Sequence, residues 1–203
     1  EDIVMFVRFA MLIVFFLKID LLEGANMDRI VVATNNLKRS PFDLDADLRS
    51  KFTFGQAVFG SLINVTKSYI IEPNLLESWK WDYNAKGYVL KLKPGIKFHN
   101  GRIADSKDLE FSILRWFFSP KKSYEKANLV SIVGCERVIP GTKFSSGIVE
   151  GIKVLDSLTL LVRLNGFHPS FMFALNSPFL SLVPEEDLDD DLVSWKTKPI
   201  GAG

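Results

Sequence analysis

Cysteine is almost missing from this 203-residue chain: Cys135 is the only one. A disulfide within the chain is therefore excluded, and packing alone must hold the fold. Cys135 stands in the stretch Val130 to Glu136 with no histidine nearby, which predicts a buried, inert thiol rather than a nucleophile. Histidine is nearly as scarce, with two. His99 and His168 lie 69 positions apart, and a metal site needs clustered ligands, so none is expected. Asp43, Asp45 and Asp47 begin like a calcium loop, but Leu48 stands where the glycine belongs and Phe54 where the bidentate glutamate belongs. The chain has no G-x-S-x-G, no phosphate-binding glycine loop and no dinucleotide fingerprint. With no nucleophile and base that can be paired, neither an enzyme nor a cofactor is expected. A net charge of +1 gives no basis for binding nucleic acid.

Long apolar runs are also lacking. The longest, Phe9 to Leu17, has nine residues and is bounded by Arg8 and Lys18, too short to span a bilayer by itself. A basic start, a short apolar stretch and the small residues Gly24 and Ala25 fit a secretory signal segment over residues 1–26, with translation starting at Met5 and cleavage near Gly24 to Asn26. A buried first helix or a retained anchor is the competing reading. With no cysteine near the cut, anchoring through a lipidated cysteine is excluded.

What is present is a folding chain: 47% hydrophobic residues, with 17 Phe and 4 Trp, enough for one good core or two small ones. Asp28 to Ala33 reads as a first strand, followed by the polar Thr34, Asn35 and Asn36. Leu48 to Leu62 reads as an amphipathic helix with Phe52, Val58, Phe59 and Leu62 on its apolar side. From Asn74 to Phe118 the chain reads as loop, strand, turn, strand, turn and capped helix. Tyr88, Leu90 and Leu92 alternate with Val89, Lys91 and Lys93, the period of a strand with one polar face. Pro94-Gly95 supplies a turn, Ile96 and Phe98 restart an alternation, and Asn100-Gly101 suits a tight turn with two positive φ values. Asp105 or Ser106 can cap the next helix, with Asp108 in its first turn. Leu109, Ile113, Trp116 and Phe117 fall on one face of that helix.

Ser119 to Gly147 reads as a helix-poor connection with one apolar patch at Leu129 to Val133. Ile148 to Asp156 and Leu158 to Leu164 form a hairpin turning at Asp156-Ser157, and Pro169 opens a short helix through Leu175. The acidic run from Glu185 to Asp191 reads as a solvated loop or helix start.

Several of these words occur together in one known family. Leu75-Leu76-Glu77-Ser78-Trp79, then Leu92-Lys93-Pro94-Gly95-Ile96-Lys97-Phe98-His99-Asn100-Gly101, then Ala104-Asp105 with Phe111-Ser112, resemble in order and spacing the signature of the family 5 extracellular solute-binding proteins of bacterial ABC importers. Gly151-Ile152-Lys153-Val154, Thr159 to Leu164 and the closing Lys198-Pro199-Ile200-Gly201-Ala202-Gly203 are similar to further family words. The resemblance covers residues 28–203. It implies an α/β fold (α+β in detail, with mixed sheets), the N-terminal lobe of a two-lobed periplasmic binding protein of type II-like architecture, over residues 27–203 and without the second lobe.

The resemblance also implies a function. Such a protein captures a peptide, or a related small solute such as nickel, an opine or a sugar, in the periplasm. It works as a monomer and delivers the solute to the permease subunits of its importer. Asn35, Asn36 and Leu37 sit where the family places ligand contacts; a plain polar turn is the alternative for Asn35 and Asn36. The competing class is a truncated lobe that binds nothing by itself.

Overall fold

A computed structural model describes residues 48–203. The first-strand segment Asp28 to Ala33 and the ligand-contact residues Asn35, Asn36 and Leu37 lie outside the described residues, as does the segment 1–26.

The first described element, α1 (Leu48–Phe59), stops three residues short of the expected Leu62. Gly60 adopts φ +65 and its N–H closes the last turn on the Gln56 carbonyl at 3.0 Å, a left-handed helix stop. Leu62 is fully buried beyond that stop. A small antiparallel ribbon follows, β1 (Ile63–Val65) and β2 (Ile71–Pro73).

The central sheet has four antiparallel strands in the order β3 (Leu76–Asp82), β4 (Gly87–Leu92), β6 (Thr159–Arg163), β5 (Ile152–Val154). The sequence reads β3 as loop because Glu77-Ser78-Trp79-Lys80-Trp81-Asp82 lacks a clean apolar alternation. A β-bulge between Leu76 and Ser78 puts the buried Leu76 out of phase with the half-buried Trp79 and Trp81, which hides the alternation. On β4, Tyr88, Leu90 and Leu92 are buried while Lys91 is exposed, so the polar-face expectation holds. Leu160 and Val162 of β6 join them across the sheet, in register with Leu90 and Tyr88. The β5–β6 hairpin turns at Asp156-Ser157 as expected, with shorter strands than the sequence suggests.

Ile96 and Phe98 do not start a strand. Residues 96–104 form a small hairpin joined by one bridge, Lys97 to Ile103. Its tip carries one positive φ, at Gly101 (+89), instead of two. The Gly101 N–H reaches the Phe98 carbonyl at 2.8 Å and the Arg102 N–H reaches the Asn100 side chain at 3.0 Å. The Asn100 side chain thus braces a turn that needs only one left-handed residue.

Helix α2 (Ser106–Phe118) begins as expected at Asp105, whose carboxylate accepts from the Lys107 and Asp108 amides while Asp108 returns the bond to the Asp105 N–H. Such a reciprocal cap contributes about 1 kcal/mol. Leu109, Ile113, Trp116 and Phe117 are buried against the sheet and its connections. Between α2 and β5 the chain makes only two 3₁₀ turns, Glu125–Leu129 and Cys135–Arg137. Leu129 and Ile132 anchor that stretch in the core. Cys135 is buried too, and burial pushes its thiol up to about 12.

Helix α3 (Pro169–Ala174) opens on its proline and adds Phe171 and Met172 to the core. Phe171 stacks on Tyr88 at 5.7 Å, and Trp81 meets Tyr88 edge-on at 4.9 Å. No helix among the described residues is long and apolar enough to cross a membrane.

Candidate functional site

Helix α2 presents an unusual inventory for a buried element. Asp108, Glu110, Ser112 and Arg115 are all buried, although three of them are charged residue types. A buried charge is tolerable only with partners, and each finds its partners in a loop rather than within the core. Asp108 receives both terminal nitrogens of Arg102, at 2.7 and 2.9 Å. The same guanidinium holds Glu186 at 2.5 and 3.1 Å and lies 4.8 Å over the Phe98 ring. The bonds to Asp108, with those to Glu186, hold the Arg102 pKa well above the usual arginine value against the effect of burial.

Glu110 accepts from the Gly147 N–H at 2.7 Å and from the Ser146 hydroxyl. Ser112 accepts from the Val183 N–H at 3.0 Å. Arg115 donates to the Leu192 carbonyl at 3.0 Å and the Phe179 carbonyl at 3.1 Å, and packs 4.2 Å over Trp116. Burial lowers its pKa to about 9, with Glu125 and Asp191 opposing the shift, so the side chain is a cation at neutral pH.

These attachments fix the two walls of a cleft of about 730 Å³. One wall is the segment Gly141 to Phe144. The other is built from Glu185, Glu186, Leu188, Asp189, Asp190, Leu192 and Lys196. The acidic run agrees with the reading of a solvated loop or helix start: Glu185, Glu186, Asp189 and Asp190 are exposed. It makes a 3₁₀ turn, Glu185–Asp187, in which Glu186 is forked by Arg102 and Asp187 accepts from Asn100 at 2.9 Å. Further on, Asp191 accepts from the Val193 and Ser194 amides and pairs with Lys121 at 2.6 Å. Burial, together with the neighbouring Glu186, raises the Glu185 pKa.

The 96–104 hairpin also grips the last residues. The His99 backbone N–H bonds the Gly201 carbonyl at 3.0 Å, the ring Nδ1 accepts from the Gly201 N–H at 3.3 Å, and Nε2 lies 3.3 Å from the Gly203 carbonyl. With Nδ1 accepting, the ring proton sits on Nε2, where it is donated to Gly203. Gly203 in turn bonds the Val58 carbonyl at the end of α1, at 3.2 Å. The words Phe98-His99-Asn100-Gly101 and Pro199-Ile200-Gly201-Ala202-Gly203, a hundred residues apart, are thus two halves of one structural clasp.

The walls of the cleft carry charges of both signs, with Lys143 and Lys196 among the carboxylates. Among the described residues, no group of three or more His, Cys, Asp or Glu side chains could hold a metal ion. His168 lies 3.0 Å from the Asn165 side chain, and Cys135 is buried with a raised pKa, which disfavours the thiolate. Sequence reading misses the polar set of α2, because it treats the side of an amphipathic helix away from its apolar stripe as solvent-facing. The spacing of Asp108, Ser112 and Arg115, at i, i+4 and i+7, is the signal that could have shown a second contact face.

Comparison with known proteins places this architecture. Heme-binding protein A of Haemophilus influenzae is 27% identical over 160 residues, which cover 73% of this chain and 28% of that protein. The substrate-binding domain of an oligopeptide ABC transporter from Bacillus anthracis str. Ames matches with 28% identity and a TM-score of 0.56, over 70% of this chain and 27% of that one. The binding protein AgaA from A. tumefaciens R10, in complex with agropinic acid, matches with 26% identity and a TM-score of 0.56, over 74% of this chain and 27% of that one. The chain thus spans less than a third of the length of each of these relatives. The model of the bacterial extracellular solute-binding proteins, family 5 (middle region), matches residues 71–203. With the signature words, the clasp that joins two of them and the mixed helix-and-sheet fold in agreement, the chain belongs to the family 5 bacterial extracellular solute-binding proteins.

Proposed function

We propose that this chain is part of the substrate-binding component of an ABC importer, which captures a peptide or a related small solute in the periplasm and delivers it to the permease subunits. The observation that carries the reading is the family match over residues 71–203, on a fold shared with transporter binding proteins. Members of such a family bind and release; they are not enzymes. Hinge closure over the solute supplies the state that a permease reads.

Within this reading, residues 1–26 direct export and residues 27–203 form one lobe of a monomer, incomplete without a second lobe. Asn35, Asn36 and Leu37 contact the ligand from the loop after the first strand. Peptide is put before nickel, an opine or a sugar only because peptide binders are frequent in the family; an extended peptide held by strand-like main-chain bonds would ask little of side-chain identity. Such sites leave a weak mark in sequence, which is the situation here. The relatives' names speak of haem, oligopeptide and agropinic acid, so the ligand panel must be broad.

The test is calorimetry on a protein extended to the relatives' full length, titrated with di- to pentapeptides, haem, nickel–histidine and an opine. Saturable binding of peptides alone, weakened by replacing Asn35 and Asn36 with alanine, is expected. Binding of haem or nickel with no response to peptides would keep the transport role and overturn the peptide assignment. The second reading, a lobe with no binding activity of its own, draws on the share of the relatives that the chain spans. It predicts silence across the whole panel for the 203-residue chain.

A further inference from the structure

The wall Gly141 to Phe144 belongs to a loop with a distinctive anchorage. Gly141 and Gly147, at φ +87 and +80, bound it on either side, and a Cβ at either position would meet nothing within 4 Å. Space does not require glycine at these two positions; only the left-handed backbone does. Between them Thr142, Lys143, Ser145 and Ser146 are exposed, and Phe144 alone is buried, edge-on to Phe111 at 5.2 Å and Phe118 at 5.5 Å. Its bonds to α2 are the Gly141 N–H to the Phe118 carbonyl at 2.7 Å and, at the far end, the Ser146 hydroxyl and Gly147 N–H on Glu110; local bonds at the two feet join Thr142 to the Ile139 carbonyl and the Ile148 N–H to the Ser145 carbonyl. The loop is thus an exposed arch held to α2 by one ring, one carboxylate and one backbone bond, with a left-handed glycine at each foot.

We propose that residues 141–147 are a lid on the cleft, plugged by Phe144 and latched by the Glu110 carboxylate, and that the lid opens as a unit about Gly141 and Gly147. Opening withdraws Gly141 to Phe144 from the cleft and leaves the opposite wall in place, because Glu186 and Leu192 are fixed separately by Arg102 and Arg115. The two walls have independent anchors on one helix, so one can move without the other. Local opening of this kind draws on segments with few buried contacts.

The experiment is hydrogen exchange with mass spectrometry on the 203-residue chain, combined with limited trypsin digestion read at Lys143, which lies inside the arch. Glu110→Gln removes part of the latch from the core side. Ser146→Ala removes one bond from the exposed side, where it does not threaten folding. Both are expected to raise exchange across 141–147 and cleavage after Lys143, by about tenfold for one charge-assisted bond lost, while 106–118 and 185–192 keep their protection. Unchanged exchange and cleavage in both variants would overturn the latch. Loosening of 106–118 in step with 141–147 would overturn the lid as a separate unit and make Glu110 a plain core group.

Discussion

Asp191 shows how one residue organises a wall of the cleft. Burial pushes its carboxyl pKa up, but the Lys121 ammonium and the Ser194 and Val193 amides outweigh burial and hold it well below the usual carboxylate range. The folded state therefore prefers the charged form. The stability it contributes is present above the unfolded value of about 4 and is lost as pH falls through the lower folded value. Asp191→Ala is expected to cost about 1 kcal/mol at pH 7, the scale of a lost cap, since the exposed part of the ion pair adds little. Urea unfolding at pH 7 and at pH 3 checks this. The gap between variant and parent should shrink at the lower pH, and an equal gap at both would show that the charge has no part in it. None of this is legible in the run Asp189-Asp190-Asp191. Three equivalent aspartates in sequence become distinct only when Arg115 draws in the Leu192 carbonyl and Leu192 takes φ +60.

At the scale of elements, what the sequence reveals is what local chemistry decides. The Asp105 cap, the Pro169 helix start and the Asp156-Ser157 turn stand where their side chains can be satisfied by near neighbours. Elements settled by distant partners escape. Strand β3 exists because β4 offers it a ladder, and α1 ends at Gly60 although its apolar pattern runs on to Leu62. The clasp at residues 199–203 depends on the same long-range fit. A Cβ at Gly201 would stand 2.3 Å from the Val58 carbonyl oxygen and 2.8 Å from the Phe59 Cα. Backbone cannot yield as a flexible side chain can, so Gly201→Ala is expected to destabilise by about 1–3 kcal/mol, the cost of overpacking. The melting temperature should fall by about 2–4 °C per kcal/mol in a domain of this size. Ala202→Ser, at the neighbouring position, serves as the control. A melting temperature unmoved by Gly201→Ala would mean that the segment does not rest on α1 in solution.

At the scale of the whole molecule, the described residues make one well-filled core, with Trp116, Phe111, Phe117, Phe118 and Phe171 among its largest fully buried side chains. That core accounts for folding and is silent on ligand. The candidate contacts Asn35, Asn36 and Leu37 act, in the proposed reading, from one lobe only, and a site with one wall stays open to water. Main-chain hydrogen bonds to a peptide then compete with solvent at every position, where each is worth about 0.5–1.5 kcal/mol net. Ordering an extended peptide costs about as much per residue as such bonds return. The 203-residue chain is therefore expected to bind peptides with a Kd no tighter than about 1 mM, or roughly −4 kcal/mol. A protein with both lobes should bind the same peptides in the micromolar range or below, because closure removes water from the bonds it makes. Isothermal titration of both forms with one tripeptide set decides the point. Micromolar binding by the 203-residue chain would show that a single lobe carries the recognition, and would turn the search for its determinants to the cleft between Gly141 and Lys196.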